Sequence, residues 1–204
     1  MKYCIRYTCS ALVVAGTLAA SFALTEEKSA SEKSDPKMEE MMKKAEAAGT
    51  PGAAHKALEP LVGDWTAEVK SWMAPDAPPT VTKATAKSSW AMNGRFVQEE
   101  FKGEMMGKPF HGMSLTGYDN QKQKYNSLWV DDMSTAIFTS EGTADDGAKV
   151  ITFTGKMDCP MTGQKDMPVK HVVRIISPDK HVFEMHDPSK GDNSKTMEIT
   201  YTRK

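Results

Sequence analysis

From Gly63 to the C-terminus, apolar and polar residues alternate in short runs separated by turn-forming residues. That period of two is the mark of half-buried β-strands. Trp65, Ala67 and Val69 share one parity and Thr66, Glu68 and Lys70 the other, which predicts a first strand over 65–72. The prolines of Ala74-Pro75-Asp76-Ala77-Pro78-Pro79 end it, because proline cannot donate to a ladder. The same alternation predicts strands near 80–92, 95–102, 109–118, 124–131, 135–141 and 149–157. Asn93-Gly94 is a strong hairpin signal between the first two of these. Ser114 and Thr116 fall on inward positions, where small polar side chains leave room for a cavity.

The last three strands are the most legible. Val169, His171, Val173 and Ile175 share one face, and His181, Phe183 and Met185 share one face of the next strand. A three-residue loop, Pro178-Asp179-Lys180, would pair Ser177 with His181 and make the two apolar faces coincide. The same register sets Arg174 opposite Glu184 and His171 opposite Asp187. In the final strand Met197, Ile199 and Tyr201 point inward, alternating with Thr196, Glu198, Thr200 and Thr202.

Roughly ten short strands with hairpin-length connections and almost no helix predict an all-β, antiparallel up-and-down barrel. Ahead of it, Asp35-Pro36 marks a helix start, with Met38, Met41, Met42 and Ala45 at helical spacing and Gly49 and Pro51 ending the run. A methionine stripe of this kind ordinarily packs and does not ligate copper. The preceding Thr25 to Ser34 is too polar to bury a face. The expected organisation is a signal peptide over 1–23, a charged linker with a short helix over 24–52, and a barrel domain over 53–204.

The signal follows from Lys2 and Arg6, an apolar run from Ala11 to Ala20, and the small-x-small site Ser21-Phe22-Ala23. The run is too short to span a bilayer, so the mature chain is expected to begin at Leu24, without stable membrane insertion, in the periplasm or outside the cell. Cleavage removes Cys4 and Cys9 and leaves Cys159, and one cysteine cannot form an internal bridge. Losing Lys2 and Arg6 also leaves 24 basic against 27 acidic residues. That mildly acidic balance argues against nucleic acid and against an anionic membrane surface as partners.

Several short stretches carry a resemblance. Pro51-Gly52, His55-Lys56, Leu61-Val62-Gly63-Asp64-Trp65, Gly94-Arg95-Phe96, Phe110-His111-Gly112, Gly117-Tyr118-Asp119-Asn120, Trp129-Val130-Asp131 and Ile199-Thr200-Tyr201-Thr202-Arg203 are similar, in order and spacing, to the bacterial domain-of-unknown-function 1579 family. The resemblance runs from about Pro51 to the C-terminus. It implies a calycin-like (lipocalin-type) barrel, commonly exported, and supplies no activity and no catalytic residue. Gly63-Asp64-Trp65 also resembles the lipocalin Gly-x-Trp opening, which implies that Trp65 packs beside Arg203 and closes the barrel.

No Gly-x-Ser-x-Gly, His-Glu-x-x-His, P-loop or Cys-x-x-Cys pattern is present, and no catalytic or metal set is assigned. Asp131-Asp132 are adjacent on a strand and point apart, which suits a turn or cap more than paired acid–base work. Lys156 to Met161 offers a thiol and thioethers but no completing histidine. Trp65, Trp72, Trp90 and Trp129 fit a core as well as a pocket. The leading reading is a non-enzymatic binder of a small apolar or amphipathic ligand, lined by His171, Trp129, Phe183, Tyr201 and Val173. A filled barrel acting as an envelope interaction or structural factor is the second reading, and a haem or metal protein using His171 or His181 is the third. The sequence leaves cofactor and oligomeric state open.

Overall fold

A computed structural model describes residues 35–74, 77–159, 162–193 and 195–204. The expected signal peptide, the first part of the linker (24–34), Pro75, Asp76, Pro160, Met161 and Ser194 lie outside the described residues. The chain divides after Asp35 into two units, and the account below concerns the second, Pro36–Lys204.

Ten strands follow one another: β1 (Gly63–Ser71), β2 (Thr80–Ala91), β3 (Phe96–Met105), β4 (Lys108–Asp119), β5 (Lys124–Asp131), β6 (Phe138–Ala144), β7 (Val150–Met157), β8 (Met167–Ser177), β9 (Lys180–His186) and β10 (Lys195–Arg203). Each pairs antiparallel with its sequence neighbour, and β1 pairs with β10, so the sheet closes into an up-and-down barrel. Closure leaves no unpaired edge to satisfy.

Alternation sorts each strand into an inner and an outer face. Trp65, Ala67, Ala84, Ala86, Val97, Phe101, Ile151, Phe153, Ile199 and Tyr201 form the buried inner face, between outward polar neighbours. Three inner-face glycines give large rings a place to lie flat on the wall. A Cβ on Gly112 would stand 2.2 Å from the Trp129 ring, one on Gly142 2.7 Å from the Phe153 ring, and one on Gly155 3.0 Å from the Phe138 ring. These rings lie close against the backbone of the neighbouring strands.

Alternate connections gather at opposite ends. The β2–β3, β4–β5, β6–β7 and β8–β9 turns share an end with Gly63 and the C-terminus. That end is plugged. A four-residue helix, Ala53–Lys56, and a 3-10 turn, Glu59–Leu61, carry Leu58 into a cluster with Val97, Tyr125, Ile151 and Phe153. Fully burying a leucine contributes about 1.5–3 kcal/mol, so Leu58 is a principal anchor of the plug. Polar ties fix it: Tyr125 Oη donates to Ala54 O at 3.1 Å, Trp65 Nε1 to Leu61 O at 3.0 Å and Trp90 Nε1 to Glu59 Oε2 at 2.8 Å. Before the plug, helix α1 (Pro36–Gly49) lies exposed along its length, with Asn120 Nδ2 donating to Ala47 O, Ala48 O and Thr50 O near its C-terminal end.

The β8–β9 hairpin differs from the register expected from sequence. Ser177 pairs with Lys180 across a two-residue turn, and a bulge before Ser177 then brings Ile175 opposite His181. The extra residue restores parity, so Val173 and Phe183 still share the inner face. His171 therefore lies opposite Met185, not Asp187, and Arg174 opposite Val182. Arg174 still reaches Glu184 diagonally, with Nε 3.2 Å from Oε2.

Candidate functional site

The seam between β1 and β10 leads into the interior. The Arg203 guanidinium lies 4.2 Å over the Trp65 ring, and donates to Pro178 O and, at 2.9 Å, to Val62 O. Gly63 has φ +145, and a Cβ there would meet Arg203 Nη1 at 2.1 Å, so only glycine lets the guanidinium pass. Beyond Trp65 the His181 ring stands edge-on at 4.4 Å and stacks on Tyr201 at 4.2 Å. The small Ala67 and Ala84 beside Tyr201 let its hydroxyl extend toward Glu99, to which it donates at 3.4 Å.

Glu99 is the charged group of the inner wall that sequence reasoning passed over. It sits on β3 between Val97 and Phe101, with Ser88 and Ser114 as cross-strand neighbours. Ser88 Oγ donates to its Oε2 at 3.3 Å. Burial pushes the carboxyl up to about 7, against the opposing pull of the Ser88 and Tyr201 hydrogen bonds. Burial, and then the Glu99 charge, raises the Tyr201 phenol well above its ordinary value. The signal for Glu99 was available: it shares parity with the apolar Val97 and Phe101, while its neighbour Glu100 faces solvent.

Ser114, Thr116, Ser127 and Ser140 continue the polar strip across β4, β5 and β6. The Thr116 and Ser127 hydroxyls lie 3.2 Å apart, while Ser140 Oγ is buried with no hydrogen-bond partner among the described residues. Strand order sets β4 diametrically opposite β9. On that facing side His171 packs 5.1 Å from Phe138 and 4.9 Å from Phe183. Burial, with His186 nearby, lowers the His171 imidazole to about 4, and burial with Arg203 nearby lowers His181 to about 3. Both imidazoles are neutral at physiological pH, and His171 Nε2 and His181 Nδ1 are buried without hydrogen-bond partners among the described residues.

The residues singled out from sequence thus spread over the interior. His171 and Phe183 touch. Trp129 lies across the barrel, stacked on Phe110 at 6.3 Å, its Nε1 donating to Asp131 Oδ2 at 2.8 Å. Tyr201 joins Glu99 near the seam, and Val173 packs against the plug cluster. Asp131 and Asp132 accept backbone N–H bonds from Met133 and His111, and so act as turn-fixing groups. Among the described residues no three of His, Cys, Asp and Glu converge on a metal position. Two depressions of about 390 and 410 Å³ are present among the described residues, one over Phe96, Leu115 and Leu128 and one beside the plug. The first opens mostly on outward-facing residues and reaches Ser127 and Ser140 of the strip, but not Glu99, Ser114 or Thr116.

The architecture defines the class: a closed, ten-stranded calycin-like barrel with one end plugged by its own N-terminal turn. The chain belongs to the family described as "Protein of unknown function (DUF1579)", whose model matches residues 50–203. Among solved structures, Rv2717c from M. tuberculosis is similar at a TM-score of 0.52 and 14% identity, over 76% of this chain and 99% of that one. That likeness shows the fold alone. A redesigned β-barrel, b11L5F_LGL, matches at a TM-score of 0.38 and 13% identity, over 72% of this chain and 95% of that one. No curated protein matches the chain.

Proposed function

We propose that the barrel binds, without transforming it, a small and largely apolar molecule carrying one hydrogen-bonding group. The carrying observation is the interior polar strip: Glu99, Ser114, Thr116 and Ser127 point inward yet keep partial exposure, while Ala86, Phe101 and Tyr201 beside them are buried. In a barrel plugged at one end, that pattern supports an open volume reached from the other. The orphaned Ser140 hydroxyl supports the same reading. A buried polar group without a partner costs about 1–3 kcal/mol, so a guest or a water is expected to satisfy it. The aromatic side, with Phe138 and Phe183, suits the apolar body of the guest, and the strip suits its polar end. The N-terminal signal supports action in the cell envelope or outside it. The mildly acidic mature chain supports a small molecule over nucleic acid.

Native mass spectrometry of protein purified from its own host tests this. The expected spectrum carries an added mass that denaturation releases. A bare mass in every preparation would favour a barrel filled by its own side chains, acting through its outer surface.

A further inference from the structure

We propose that His171, Met185 and Met197 form a site for copper(I) on the inner wall. The three lie in one row across neighbouring strands. His171 pairs with Met185 between β8 and β9, and Met185 pairs with Met197 between β9 and β10. Directly paired residues face the same side, and this row faces inward with Val173, Phe183 and Ile199 below it. Strands lie about 4.8 Å apart, so the outer members of the row are separated by about 10 Å with Met185 between them. Methionine has three rotatable bonds, and two such arms converge on a point beside a fixed imidazole within that span.

The chemistry of the row is selective. Its donors are two thioethers and one imidazole, all uncharged, and it extends to Phe153 on one side and Ser71 on the other, with no carboxylate. Hard divalent ions need oxygen ligands and negative charge, whereas soft sulfur donors with one imidazole suit a monovalent, weakly hydrated ion. His171 gives the second observation. Its Nε2 is buried with no hydrogen-bond partner among the described residues, its ring packed against the Phe138 and Phe183 rings. An imidazole nitrogen set among apolar groups has a lone pair, or a proton, that the protein does not use. The row lies toward the end opposite the plug, near the β7–β8 and β9–β10 connections. The site stands independently of the polar strip, which occupies β2 to β6.

The test uses the full chain with Cys4, Cys9 and Cys159 all replaced by serine, so that no thiol takes the metal. Copper(I) is titrated anaerobically against bicinchoninate as a chromophoric competitor. The parent is expected to bind one equivalent, and Met185→Leu/Met197→Leu to bind at least about a hundredfold more weakly, about 2.7 kcal/mol. Methionine-to-leucine exchange conserves volume, and a thermal melt of the double variant checks that it folds. His171→Gln should show a comparable loss, and Met38→Leu/Met41→Leu/Met42→Leu none. X-ray absorption of the loaded parent should show one nitrogen and two sulfur neighbours. Three results would each overturn the site: no binding by the parent, unchanged affinity in the double variant, or loss confined to the helix variant. Uptake of an apolar probe by the strip is read separately, so either proposal can fail alone.

Discussion

Replacing Glu99 by glutamine changes one proton and almost nothing else. The amide occupies the carboxyl's volume; the Ser88 and Tyr201 hydroxyls reach different carboxyl oxygens, so the amide oxygen accepts from one of them and the NH2 donates to the other. Burial raises the carboxyl from an ordinary 4.5 to about 7 in the folded barrel. Between those values the unfolded chain has released its proton and the folded chain still holds one. Wild-type stability from this group is therefore complete below the unfolded value and is lost as pH rises through the window. At about 1.36 kcal/mol per unit, the loss between about pH 5 and about pH 8 is ~2.5 kcal/mol, less where water in an open interior solvates the carboxylate. Glutamine does not titrate, so the variant gains on wild type by that amount over the interval. His171 and His181 have the opposite sign, their low folded values weakening the barrel as pH falls below 6.5. They are present in both proteins and cancel in the difference. Urea unfolding at the two pH values reads the result directly from the midpoints, provided the slopes agree. A stability difference independent of pH would show that Glu99 titrates as an exposed carboxylate, and would refute its burial.

Arg203→Ala should destabilise by about 1.5–3 kcal/mol, from a guanidinium–indole contact of ~0.5–2 and the part-buried Val62 carbonyl at ~1, the exposed Pro178 carbonyl turning to water. Urea unfolding beside the exposed control Lys56→Ala checks it, and equal effects would dismiss the seam as a stabilising element. Gly112→Ala should cost about 1–3 kcal/mol, because its methyl would strike the Trp129 ring. Gly147→Ala, which meets nothing closer than 3.9 Å, should be near neutral in the same thermal melts. A neutral Gly112→Ala would mean that the ring does not lie on that wall.

Much of the fold was legible because strands announce themselves by parity. Asn93-Gly94 signalled its hairpin, where Met92, Asn93 and Gly94 all take positive φ. Asp35-Pro36 signalled the helix that begins at Pro36. The bulge before Ser177 was hidden, because an inserted residue and a longer loop restore parity equally well and no residue type there distinguishes them. That ambiguity decided the partner of His171, and with it the meeting of His171 and Met185. The strand expected over 135–141 forms instead over Phe138–Ala144, since Ser134 to Ile137 carry no alternation strong enough to mark the boundary. Ser114 and Thr116 could be read as small inward groups, but Glu99 was masked by its twin at 100. Its importance comes from Tyr201, 102 residues away, which only barrel closure brings near.

The central claim is that the interior of the barrel is open along the strip, and Ser114→Trp tests it most directly. Ser114 stands between Glu99 and Trp129 in the cross-strand row, half-buried, so an indole there would occupy the proposed volume. An apolar fluorophore that brightens on leaving water is titrated into wild type and variant, with thermal unfolding measured on both. An open interior gives saturable, one-to-one uptake by wild type. It also gives at least about tenfold weaker uptake by Ser114→Trp, about 1.4 kcal/mol, with little change in melting temperature. A filled interior gives no saturable uptake by wild type, and a variant destabilised by about 1–3 kcal/mol through overpacking, which would contradict the account.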